Sequence, residues 1–146
     1  MAVIYDPSRI KTVYTSKLGT TGEYLTKMAQ DNDALIAING GGFEDPNYVG
    51  NGATPLGITF SNGKLITSKT YKGQGGLIGF TQDDKLVLGK MTVDQAKKQK
   101  IRDGVTFGPF LIINGKASSV SGNGGWGTAP RTAIGQRQDG IVLFLV

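Results

Sequence analysis

The 146-residue chain has no histidine and no cysteine. The first absence removes the commonest general base, the Ser-His-Asp and Cys-His mechanisms, and the histidine-containing zinc sites. The second removes disulfides, thiol nucleophiles and thiolate metal ligation, and leaves the redox compartment open. Acid–base chemistry therefore falls to Asp, Glu, Tyr, Lys or Arg, or to a bound cation. Charged residues make up only 18% of the chain, which argues against a disordered or coiled-coil protein. No apolar run is long enough to span a membrane or to read as a signal peptide. Met1-Ala2 leads at once into strand-like sequence, so the expectation is that a native leader has been removed.

What remains is rich in turns. Twenty-three glycines with 38% hydrophobic residues describe a β-rich globule, and the length fits one domain with a real core. The net charge is +5 and the pI about 9.5. That is either an ordinary basic surface or a mild attraction for polyanions such as teichoic acids, nucleic acid or anionic membranes. Lys97, Lys98, Lys100 and Arg102 form the one dense basic cluster. No aromatics interleave it as they do in single-strand binders, so no nucleic-acid partner is expected.

Taken in order, residues 3–5 and 10–15 read as short strands around the turn Asp6-Pro7-Ser8. Thr20 and Glu23 fit a capping box that would open a helix over 21–30, with Leu25, Met28 and Ala29 on one face and Asp31-Asn32-Asp33 as its stop. Residues 34–38 (ALIAI) predict a short buried strand running into Asn39-Gly40-Gly41-Gly42-Phe43. The Gly-rich stretch 44–55 predicts a functional loop. Hairpins follow over 56–67 around Asn62-Gly63, over 76–89 around Gln82-Asp83-Asp84, and over 110–113 into Asn114-Gly115. Thr92 with Gln95 predicts a second capping box, opening a helix over 93–99 whose lysines suit its C-terminal end. Residues 118–128 form a loop carrying the single Trp. A last hairpin over 132–146 ends in IVLFLV, the most apolar strand. Such a strand belongs in the middle of a sheet covered on both faces, so more sequence is expected beyond Val146. The fold class is α+β: a largely antiparallel or mixed sheet of consecutive hairpins with two or three short helices, in one domain.

Several residues stand out chemically, each with a structural alternative. The Asn39–Gly42 run is either a bend where glycines let strands cross, or a site where Asn39 and glycine N–H groups meet a ligand. It lacks the Lys-Ser/Thr and helix of a phosphate-binding loop, and it does not open a helix as a dinucleotide fingerprint does. Residues 129–135 (APRTAIG) are expected to face it. Glu44 and Asp45 are either solvated loop carboxylates or the acid–base pair, with Ca²⁺ as a candidate cofactor and Asn47, Asn51 and Asp139 as further oxygen donors. Asp139-Gly140 is better explained as a turn. Arg131, after a rigid proline, suits bidentate phosphate binding or a structural ion pair. Trp126 either stacks on a sugar or shields the edge of the core.

AINGGGF, GNGATPLGITFSNGKLI, GPFLIINGK and APRTAIGQRQDG, in this order and spacing, resemble the phosphodiester glycosidase family. That family includes N-acetylglucosamine-1-phosphodiester α-N-acetylglucosaminidase and bacterial exopolysaccharide-related proteins. The resemblance covers nearly the whole chain. It implies hydrolysis of a sugar-1-phosphodiester at the C1–O–P linkage of a cell-envelope glycan or exopolysaccharide, and a secreted or envelope location. It implies Asn39, Gly40, Gly41 and Arg131 at the site, with the 50–52 loop and Asn51 nearby and Arg131 neutralising the phosphate leaving group. A carboxylate would manage water or anomeric charge. Family members continue with a DGR-type segment, a helix and an NLDGGGSS-type segment, none of which occurs here. A C-terminal fragment of the same precursor is therefore an expected partner. The competing expectation is a non-catalytic module that binds envelope glycan through Trp126, Tyr48 and the Gly-rich loops.

Overall fold

A computed structural model describes residues 1–46, 48–122 and 127–146. Two antiparallel sheets carry the fold, together with a small hairpin. The larger sheet has five strands, β2 (Gly57–Ser61), β3 (Lys64–Lys69), β4 (Gly76–Thr81), β5 (Leu86–Gly89) and β6 (Ile101–Phe107), in the order β3-β2-β6-β4-β5. The smaller has β1 (Ala2–Ile4), β9 (Ala133–Gln136) and β10 (Val142–Leu145), in the order β1-β10-β9. Strands β7 (Ile112–Ile113) and β8 (Lys116–Ala117) make the extra hairpin. Helices α1 (Leu25–Asp31) and α2 (Val93–Lys98) complete the α+β fold.

The hairpins follow from turn chemistry. Asn62 and Gly63 have φ of 49° and 73°, and Asn114 and Gly115 have 50° and 75°. Paired positive φ values of this kind give the type I′ twist that matches antiparallel strands. Thr92 and Gln95 form the expected capping box on α2, and Lys97 and Lys98 lie in its last turn. Ala96 of α2 is buried against Phe60, Leu77 and Ile101, with Ile58, Val87, Met91 and Val93 packed around them. This cluster is the core of the larger sheet. Fully burying a side chain such as Phe60 contributes about 1.5–3 kcal/mol.

Arg102 ties the N-terminal segment to this sheet. Its guanidinium donates to the carbonyls of Pro7 and Ile10 and to the carboxylates of Asp84 and Asp103, and lies 5.5 Å from the Phe80 ring centre. Asp103 is buried and also accepts from the amides of Thr12 and Asn62. Arg102 is therefore not part of a surface basic cluster with Lys97, Lys98 and Lys100, as its sequence neighbourhood suggested.

Four local expectations are corrected. Residues 34–38 are neither a strand nor buried: Leu35 is 85% and Ile36 50% exposed. Residues 10–15 form no strand, because Thr12 bonds to side chains (its amide to Asp103, its carbonyl to the Ser61 hydroxyl) in place of a ladder. Thr20 and Glu23 make no capping box. The Glu23 carboxylate turns back to the amide and hydroxyl of Ser16, and these bonds hold it below the usual carboxylate pKa. Helix α1 therefore starts later, after Tyr24, without a side-chain cap. Strand β10 is central in its sheet as expected but is not covered on both faces. Val142 is buried, whereas Leu145 is 42% exposed.

Candidate functional site

The Asn39–Gly42 run enters the larger sheet where β2 and β6 part. The Gly42 amide donates to the Thr106 carbonyl (3.2 Å), and its carbonyl accepts from the Leu56 amide (2.8 Å). Phe43 then bridges to Pro55, and the Glu44 amide donates to the Thr54 carbonyl. Gly42 thus occupies the place of a ladder residue between the two strands. Thr106 closes the gap with its side chain, its hydroxyl accepting from the Ile58 amide and donating to the Ile58 carbonyl. Bare backbone is needed here for space. A Cβ at Gly41 would lie 3.1 Å from the Val105 Cβ, and one at Gly42 3.3 Å from the Tyr71 ring. At Gly40 the nearest atom would be at 3.5 Å, an ordinary contact. Gly41 and Gly42 have a packing reason to be glycine, and Gly40 has none.

The second segment does reach this bend. The Thr132 hydroxyl lies 3.4 Å from the Asn39 carbonyl oxygen, joining positions 93 residues apart. Next to it, Arg131 turns its guanidinium onto the carbonyls of Gly127 (2.8 Å) and Pro130 (3.2 Å). Among the described residues no carboxylate pairs with it, so its charge is not compensated by a structural ion pair. Two carbonyls fix its direction and leave other guanidinium N–H groups available.

The two carboxylates of the loop behave differently. Glu44 pairs with Lys69 at 2.9 Å, both side chains being about half exposed. Such a pair is weak, on the order of 0–1 kcal/mol, and easily exchanged for another partner. Asp45 turns both oxygens to its own loop, one accepting from the Val49 amide and the other from the Gly50 amide. Asn51 latches that loop in place: its side-chain oxygen accepts from the Gly22 amide at 3.0 Å. A Cβ at Gly22 would overlap the Asn51 carbonyl oxygen, so the approach requires glycine. The Gly19 amide donates to the Ala53 carbonyl and holds the far end of the loop. Asp139 ion-pairs with Arg137 and accepts from the Ile141 amide, which is turn chemistry as expected.

Ca²⁺ requires six to eight converging oxygens. Among the described residues no group of three or more acidic side chains gathers to hold a metal. Among the described residues Asn51 accepts from the Gly22 amide, and Asp139 pairs with Arg137 and accepts from the Ile141 amide. Asn47 and Trp126 lie outside the described residues.

Beside Gly42 opens a cavity of about 440 Å³ that the motifs did not point to. Its wall includes Lys69, Tyr71, Lys72, Lys90 and Thr106 with several glycines. These residues sit at one end of the larger sheet, at the starts of β2 and β4 and the ends of β3, β5 and β6. Lys69, Tyr71 and Lys72 come from one stretch, and the antiparallel register brings Lys90 and Thr106 to them.

A family model for phosphodiester glycosidases matches residues 32–146. Searches of curated proteins and of solved structures return no match. The matched region begins just before the Asn39 bend and includes both segments that meet there, the 44–55 loop and Arg131. Four motifs in order, a meeting of the two segments that carry the first and last of them, and a family model over most of the chain agree: this protein belongs to the phosphodiester glycosidase family.

Proposed function

We propose that the chain supplies the Asn39–Arg131 wall of a site that hydrolyses a sugar-1-phosphodiester on a cell-envelope glycan or exopolysaccharide. An N-acetylglucosamine-1-phosphodiester is the model substrate, and the setting is secreted or envelope-associated. The single observation that carries the reading is the Thr132–Asn39 contact, which brings the segment bearing Arg131 to the glycine bend, with no carboxylate pairing Arg131 among the described residues. Arg131 binds the phosphodiester and neutralises the phosphate as the C1–O bond breaks. Asn39 and the backbone of Gly40 and Gly41 receive the sugar. Glu44, released from its exposed pairing with Lys69, manages the attacking water or the charge building at the anomeric carbon. Asp45 and Asn51 act on this site through the loop they hold. The family pattern adds a partner, a C-terminal fragment of the same precursor bearing the DGR-type and NLDGGGSS-type segments.

The test is release of sugar from an N-acetylglucosamine-1-phosphodiester analogue, by the chain alone and with that fragment added. Arg131→Ala should lower turnover by about a hundredfold or more, the scale for loss of one transition-state charge contact. Unchanged turnover in that variant would overturn the assignment. Glycan binding with no turnover under either condition would favour the binding-module alternative.

A further inference from the structure

We propose that the cavity at the glycine-rich end of the larger sheet is a separate anion site, taking a compact phosphate-bearing group through Lys69, Lys72 and Lys90. The inference goes beyond the hydrolase reading and stands without it.

Three lysines, Lys69, Lys72 and Lys90, are among the residues lining one cavity of about 440 Å³, a size typical of small-ligand sites. Their charge is poorly balanced. Glu44 is the carboxylate that pairs with Lys69, through an exposed contact. Neither Lys72 nor Lys90 has an ion pair or side-chain hydrogen bond among the described residues. Like charges gathered without counter-charges raise one another's energy, and a bound anion relieves that cost.

The rest of the wall suits the same occupant. Gly73, Gly75 and Gly76 are glycine for packing, since a Cβ there would overlap Tyr71, Phe107 and Gly89, and they let the wall fold closely around the cavity. The Tyr71 hydroxyl donates to the Gln74 carbonyl, and burial keeps the phenol neutral by raising its pKa, so it adds no negative charge. Lysine meets anions as a flexible point charge, which fits a phosphate with several charged oxygens.

Pyrophosphate is the probe, followed by amide chemical shifts and by calorimetry at low salt. Shifts at Gly73, Gly75 and Gly76 that weaken with added salt are expected. Lys72→Gln with Lys90→Gln should weaken binding about tenfold or more, since the double variant removes two of the three cations. Lys97→Gln with Lys98→Gln makes the same change in net charge on α2 and should leave affinity within about twofold, as remote exposed charges are screened. Equal loss in both double variants would reduce the effect to overall charge and overturn the site, as would absence of binding. Citrate binding as tightly as pyrophosphate would overturn the phosphate class. Arg131→Ala should retain binding, and its loss there would place the anion at the Asn39 bend instead. All four lysines are exposed, so the variants are expected to fold, with circular dichroism as the check.

Discussion

The three glycines after Asn39 differ in how closely their neighbours approach, and that separates packing from function at single positions. A Cβ fits at Gly40 but crowds Val105 at Gly41 and Tyr71 at Gly42. Gly40→Ala should therefore keep or raise stability, by up to about 1 kcal/mol through the unfolded chain. If a sugar approaches the backbone there, the same variant should lose most of its turnover. Thermal melts and the hydrolysis assay, run side by side, check this, and full activity in Gly40→Ala would remove Gly40 from the site. Gly41→Ala has no such resolving power, since a loss of stability there follows from packing alone.

Among the elements, the hairpins were legible and the joins between them were not. Asn62-Gly63 and Asn114-Gly115 encode their turns in two adjacent residues, so local sequence suffices. The Thr92–Gln95 box is local in the same way. Thr20 and Glu23 carry the same signature, yet Ser16 lies within reach and takes the carboxylate. Residues 34–38 have the composition of a buried strand, but composition does not say which surface covers them. The candidate site was legible through its Asn39–Gly42 and Arg131 motifs, whereas its lysine-lined neighbour was hidden because register across five strands assembles it. Arg102 is the clearest case of long-range placement, since its carbonyl acceptors precede it by 92 and 95 residues. Arg102→Met should cost about 3–5 kcal/mol, because it leaves Asp103 buried without its cation. Adding Asp103→Asn should recover part of this loss, because a side-chain oxygen is kept for Thr12 and Asn62. Urea unfolding midpoints of the single and double variants measure the coupling.

For the molecule as a whole, stability is expected to be uneven. The packed core lies between the five-stranded sheet and α2, while residues 34–36 are exposed and lie outside any strand or helix. Native-state hydrogen exchange should place the most protected amides in β2, β4 and β6, with protection approaching the global unfolding free energy. The amides of Leu35 and Ile36 should exchange near the unprotected rate, and strong protection there would contradict the exposed placement of these residues. The two sheets meet at Asp84, a turn residue with φ of 59°. Its carboxylate receives Arg102, while its carbonyl receives the amide of Gln136, whose oxygen in turn accepts from the Leu86 amide. Gln136 and Asp84 are 52 residues apart, and the bonded pairs of β1 and β10 are separated by almost the whole chain. These separations carry different loop-closure costs. The β4–β5 hairpin has to turn at Asp84 before either long-range partner has anything to hold. The smaller sheet, which joins residues 2–4 to residues 142–144, closes the longest loop of the fold and is expected to form late, an order that pulse-labelled hydrogen exchange would measure.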